Sequence, residues 1–209
     1  MPVLVRGKSA EFIFEASIGF TSVEFESVKI LNACYWSLAL LVLLLVVSCK
    51  SAPKPPLPTV SKVDLAQYAG RWHEVARLPN AFQRDDSKAI AEYTPQADGS
   101  VKVVNTEMRP DGSQKQVVGS ATAVPETGNS RLRVKFGGLA ALAPASKEGN
   151  YWIIKLADDY SVALVGTPSR KFLWLLARDP KISESDKQVY LDEAKRLGFA
   201  TDQLLHAKW

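Results

Sequence analysis

The stretch Gly70-Arg71-Trp72-His73-Glu74-Val75-Ala76-Arg77 constrains this chain more than any other segment. A glycine permits a tight backbone bend, and a large ring then opens a period-two segment, the mark of a half-buried strand. Tyr68 sits in the short turn before it. Beyond this point the chain continues as short segments divided by turn chemistry such as Pro95-Gln96-Ala97-Asp98-Gly99 and Arg109-Pro110-Asp111-Gly112. The pattern predicts strands over residues 72–78, 88–94, 100–108, 114–124, 131–136, 151–157, 160–166 and 171–178. Eight strands are the number at which a closed barrel can hold one small ligand. A helix follows. Ser183 can cap it, Val189, Tyr190, Ala194 and Leu197 give it an apolar stripe, and Gly198 stops it. Residues 204–206 read as a last short strand at the barrel edge.

The front of the chain reads as an address and not as fold. An apolar run from Trp36 to Val47 has the length of a signal-peptide core and is short for a bilayer span. Val46-Val47-Ser48-Cys49 follows it and looks like a bacterial lipobox, with Cys49 becoming the lipidated N-terminus. A cleaved secretory signal and an uncleaved anchor helix are the competing readings. The position of Cys49, where cleavage would expose it, favours the lipoprotein signal. Residues 50–58 form a Pro-rich polar tether that should be extended. The resulting division is 1–48 signal, 49–62 lipidated Cys and tether, and 63–209 a single domain. Residues 1–27 carry Glu11, Glu15, Glu24 and Glu26 where a signal should be basic, which suggests a true start near Val28 or Leu31.

Composition excludes several functions. The whole chain carries 26 Lys and Arg against 22 Asp and Glu, a net charge of +4. Those charges are spread along it, with no basic run interleaved with aromatics to suggest nucleic acid. The two cysteines are Cys34, inside the signal, and Cys49, so the domain has neither a disulfide nor a thiol nucleophile. His73 and His206 are too few for a typical zinc site. No metal and no cofactor are implied.

Three motifs together resemble the lipocalin signatures: residues 63–77 around Gly70 and Trp72, residues 159–165 (Asp-Tyr-Ser-Val-Ala-Leu-Val), and residues 173–178 (Leu-Trp-Leu-Leu-Ala-Arg). The resemblance runs from about Val63 to Leu205. It implies an all-β fold, an eight-stranded antiparallel up-and-down barrel with the helix packed on its wall. It also implies that Trp72 plugs the closed end beside Gly70 with Arg178 lying across it, a cation–π contact worth about 0.5–2 kcal/mol.

Alternation along strands assigns the faces. With Trp72 inward, Glu74 and Ala76 follow. In the sixth strand the apolar face carries Trp152, Ile154 and Leu156, with Leu164 beside it. In the eighth, Phe172, Trp174 and Leu176 share a face with Arg178. Glu74, Ala76, Trp152, Ile154, Leu164 and Trp174 are thus candidate ligand contacts, with ordinary core packing as the alternative for the tryptophans. Arg84, Arg109, Lys147, Arg170 and Lys171 fall in or beside loops at the open end, where Arg170 and Lys171 could meet an anionic head; solvated loop charges are the alternative. Residues 137–145 are unusually apolar for a loop. They could touch membrane, a second copy in a homodimer, or fold over the opening.

The resemblance implies a non-catalytic envelope protein. It would carry fatty acids or lysophospholipids and sit on the outer membrane through the lipid on Cys49, facing the periplasm. Lys50, not Asp, after that Cys agrees with the outer membrane. An acyl chain of about 14 methylenes gains roughly 11 kcal/mol on burial, against an association cost of about 4–15 kcal/mol. Two rivals remain. One is an enzyme acting on a bound lipid, with Glu74 as its acid or base; the other is a structural lipoprotein with a filled barrel.

Overall fold

A computed structural model of the chain describes Tyr35, residues 55–137 and residues 146–209. The rest of the signal, Cys49 and most of the apolar loop lie outside the described residues. A one-turn helix, α1 (Leu65–Tyr68), precedes β1 (Gly70–Arg77). The Asp64 carboxylate caps it by accepting from the Ala66 and Gln67 N–H groups. Gly70 adopts φ +88, which an L side chain rarely tolerates, and this turns the chain into the strand. Then come β2 (Lys88–Pro95), β3 (Val101–Met108), β4 (Gln114–Ala123), β5 (Arg131–Phe136), β6 (Tyr151–Leu156), β7 (Val162–Gly166) and β8 (Leu173–Ala177). Helix α2 (Glu184–Arg196), a 3-10 turn (Thr201–Gln203) and β9 (Leu205–His206) complete the chain.

Each strand pairs antiparallel with its successor, and β1 pairs with both β8 and β2, so the sheet closes. The β1–β2 seam is short, running from Gly70↔Tyr93 to His73↔Ile90. Above it β1 pairs with β9 instead, through Ala76↔His206 and Arg77↔Leu205. The C-terminus therefore satisfies backbone groups that β2 leaves behind. The eight strands and the helix lie where the sequence pattern puts them, with strand boundaries differing by at most two residues.

Two apolar layers share the barrel wall. The inner one holds Val63, Tyr68, Trp72, Tyr93, Val101, Val103, Ala121, Leu132, Ile153, Ala163, Val165 and Leu176. The outer one lies between β6–β8, the end of β1 and helix α2, and includes Trp152, Ile154, Leu164, Leu175, Tyr190, Ala194 and Phe199. Ser183 caps α2 by accepting from the Asp186 N–H at 3.0 Å. Tyr190 and Ala194 face the barrel, whereas Val189 is 52% exposed and does not belong to the buried stripe. Phe199, just past the helix, takes a buried place that the stripe did not include. Residues 55–62 are no free tether: Leu57 is buried in the outer layer, and the Val60 N–H donates to the Ile153 carbonyl at 3.0 Å.

Candidate functional site

The closed end of the barrel is built around Trp72. Its indole N–H donates to the Tyr68 carbonyl at 2.8 Å, and the Tyr68 ring lies 4.9 Å away. The Arg178 guanidinium stands 4.0 Å over the Trp72 ring. It also donates to the Arg71 and Gln67 carbonyls, both at 2.8 Å, closing over the turn that Gly70 makes. His73, on the opposite face of β1, meets Trp209 edge-on at 4.9 Å and bonds the Arg178 carbonyl through Nδ1. Three tyrosine hydroxyls meet within the inner layer: Tyr68 lies 2.7 Å and Tyr93 2.9 Å from Tyr151. Burial pushes the Tyr93 hydroxyl up to about 12, so it stays protonated in its hydrogen bond.

Toward the open end the lumen turns polar. Glu74, 4% exposed, follows Trp72 on the inner face. Arg77, 1% exposed, sits one turn of pleat beyond, its Nε 3.2 Å from Glu74 Oε1 but out of hydrogen-bonding alignment. Gln83 reaches in from the β1–β2 loop and donates to the same Oε1 at 2.9 Å. Arg77 also donates to the Arg84 carbonyl at 2.6 Å and the Leu78 carbonyl at 3.3 Å, which fastens that loop to the barrel. Burial pushes the Glu74 carboxyl up to about 7, outweighing the lowering pull of Gln83 and Arg77. Two strands away, on β3, Glu107 accepts from the Arg84 N–H at 2.9 Å and from Arg109 at 3.2 Å.

The folded protein thus holds a proton on Glu74 that the unfolded chain has released between about pH 4.5 and 7. The stability this supplies is complete below about pH 4.5 and is lost as pH rises through 7. It amounts to about 3 kcal/mol. In urea titrations at pH 5 and pH 8, Glu74→Gln should flatten the fall in stability. An unchanged fall would assign the titration to other groups.

Several sequence-derived ligand contacts need correction. Ala76, Trp152, Ile154 and Leu164 belong to the outer layer under α2, not to the lumen. A bulge in β1 between Glu74 and Ala76 reverses the alternation, which turns Val75 and Ala76 outward and Arg77 inward. A second bulge in β6, between Ile153 and Lys155, turns Leu156 inward while Trp152 and Ile154 face out. Trp152 is engaged outside by Arg131, 3.9 Å over its ring, and donates to the Glu148 carbonyl. Trp174 packs with the inner layer, and Phe172 stacks on it with ring centroids 6.0 Å apart. Phe82, 60% exposed at the rim, meets Phe172 at 5.5 Å, so three rings line up from lumen to mouth.

The mouth cations are also less free than their charges suggest. Arg170 donates to the Leu197 and Pro55 carbonyls, both at 2.6 Å, and so ties the segment before the barrel to the end of α2. Arg84 is paired with Asp86 at 3.0 Å. Lys147 and Lys171 are exposed, with no side-chain partner among the described residues.

Residues 63–208 match the family model of the lipocalin-like domain. This chain is a lipocalin. It is 36% identical over 167 residues to the outer membrane lipoprotein Blc of Citrobacter freundii, an alignment covering 78% of this chain and 90% of that one. Against temperature-induced lipocalin-1 of Arabidopsis thaliana it is 32% identical, covering 72% and 82%. Among solved structures, insecticyanin of the tobacco hornworm Manduca sexta superposes with a TM-score of 0.58 at 21% identity, covering 76% of this lipocalin and 87% of that chain. Lobster apocrustacyanin A1 gives 0.52 at 14%, covering 75% and 92%. These structural likenesses establish the barrel.

What sequence reasoning passed over in the lipocalin lumen is its polar band. Arg77 was readable as a charged residue in an apolar strand, but its facing inward depends on the bulge. Gln83 lies in a loop, and Asn105 and Glu107 lie on a strand whose alternation with Val101 and Val103 could have marked them.

Proposed function

We propose that this lipocalin is an envelope lipid carrier that takes up single-chain lipids such as fatty acids or lysophospholipids in its lumen. The observation that carries this reading is the closed barrel whose inner layer includes the small side chains Ala91, Ala121 and Ala163 and changes from apolar to polar toward the mouth. Such a gradient suits an amphiphile with one chain and one head. The tryptophan to watch is Trp174, on the inner face beside Arg77 through the register of β1 and β8. Native mass spectrometry on protein purified from its own membrane is the test. A stoichiometric co-purifying lipid supports a carrier, and an empty protein that takes up no added lipid points to a structural role.

The reading is of binding and not of catalysis. Among the described lumen residues Glu74 carries the carboxyl raised toward neutrality, as acid–base work would need, and its Oε1 is engaged by Gln83.

The name of the Blc relatives places them in the outer membrane. By likeness, and by the lipobox of its own sequence, this lipocalin is anchored there through lipid on Cys49. Several acyl chains hold where one would be marginal, since each buried methylene adds about 0.8 kcal/mol. Cys49→Ser should shift the protein from the outer-membrane fraction to soluble or inner-membrane fractions. Unchanged fractionation on a membrane gradient would refute the anchor.

A further inference from the structure

We infer that the polar band formed by Glu74, Gln83 and Asn105 selects a neutral, hydroxyl-bearing acyl lipid, of the monoacylglycerol class, over a fatty-acid carboxylate. The inference rests on the carrier reading above and narrows it.

The band has hydrogen-bonding capacity that the protein itself does not use. Asn105 lies on β3, whose inner face runs Val101, Val103, Asn105, Glu107, with no register shift against β2 or β4. Its carboxamide bonds no described residue, and Oδ1 is buried without a partner. Glu74 places both of its contacts, from Gln83 and Arg77, on Oε1, which leaves Oε2 without a described partner. A carboxamide both donates and accepts, and Oε2 can accept. Glycerol hydroxyls and an ester carbonyl supply the complementary pair.

The charges point the same way. A carboxylate entering the band would meet Glu74 and Glu107. The cation nearest Glu74 is Arg77, already engaged by the Glu74 carboxyl, by the Leu78 and Arg84 carbonyls, and by Asp85 at 3.9 Å. Arg109 is held by Glu107 at 3.2 Å through Nη2, while its Nε, like that of Arg77, is buried without a hydrogen-bond partner. Lys115 faces Glu107 across the β3–β4 register but is exposed to water, where a charge pair is weak. Inside the barrel, then, a neutral head keeps every existing ion pair and can bond Asn105 and Glu74 Oε2, whereas an anion must compete with two carboxylates for guanidinium groups already paired with them. The Glu74 carboxyl, held near neutrality in its proton affinity, sharpens this with pH: more of it is charged at pH 8.5 than at pH 5.5.

The full chain, stripped of lipid, is titrated with 1-monopalmitoylglycerol and with palmitate at pH 8.5 and pH 5.5, followed by tryptophan fluorescence. At pH 8.5 the monoglyceride should bind on the order of tenfold tighter, and the gap should narrow at pH 5.5, as Glu74 takes up its proton. Asn105→Leu should weaken the monoglyceride and leave palmitate unchanged or tighter. Glu74→Gln, which keeps the shape of the side chain, should tighten palmitate at pH 8.5 and make its binding insensitive to pH in this range. Palmitate binding as tightly as the monoglyceride to the unsubstituted chain at pH 8.5 would overturn the inference and leave the carrier reading standing. A preference that survives in Asn105→Leu would overturn it as well. Failure of both lipids to bind would remove the carrier reading, and the inference with it.

Discussion

Trp72→Ala should lower the unfolding free energy by about 3–5 kcal/mol, the usual loss for a buried tryptophan. The ring is fully enclosed, so the substitution opens a void that Tyr68, 4.9 Å away, cannot fill without breaking its bond to Tyr151. The Tyr68 carbonyl loses its indole donor at the same time. Arg178→Ala should cost less, about 1–2 kcal/mol, because the guanidinium is partly exposed and its carbonyl partners Arg71 and Gln67 can turn to water. The two share one cation–π contact, so the double variant should fall short of the sum by at least about 0.5 kcal/mol. Urea unfolding of the four proteins measures this directly. Strict additivity would show that the guanidinium and the ring do not support each other, despite the 4.0 Å spacing.

Arg77→Met should be comparably damaging at pH 8, by about 3–5 kcal/mol, for an electrostatic reason. Removing the guanidinium leaves Glu74 buried beside Glu107 with only Gln83 to stabilise its charge. It also frees the Arg84 and Leu78 carbonyls that hold the β1–β2 loop to the barrel. At pH 5 the same substitution should cost less, since a protonated Glu74 has no charge to strand. Glu74→Leu combined with Arg77→Met should recover much of the stability, as replacing both members of a buried pair by apolar groups often does. A loss independent of pH, with no recovery in the double variant, would show that Arg77 acts only through the loop carbonyls.

How far the barrel was legible follows from what each strand faces. On β3, Val101 and Val103 alternate with Lys102, so the pattern identifies one face and that face is the buried one. On β6 the sequence Tyr-Trp-Ile-Ile-Lys-Leu is apolar on both sides, since one side meets the lumen and the other meets helix α2. Alternation cannot choose between two buried faces. The choice of Trp152, Ile154 and Leu164 as lumen residues failed for that reason. Trp174 sits in the lumen because its strand partner, Val165, and the plug contact of Arg178 fix the parity of β8.

By itself the sequence determined the barrel: the Gly70 bend, the Trp72 plug, eight strands with their turns, the Ser183-capped helix and the family that these motifs mark. All of these rest on local backbone preference and on periodicity over a few residues, which neighbouring side chains encode. Tertiary structure alone decided which wall residues face the lumen. Bulges after Glu74 and Ile153 shift the alternation by one residue, and their positions follow from how each strand is forced to coil against its neighbours. It also decided that Arg77 is buried, that Gln83 joins Glu74, and that Arg170 serves the Pro55 and Leu197 carbonyls. Those partners lie on separate segments, and only closure of the sheet brings them within reach of one another.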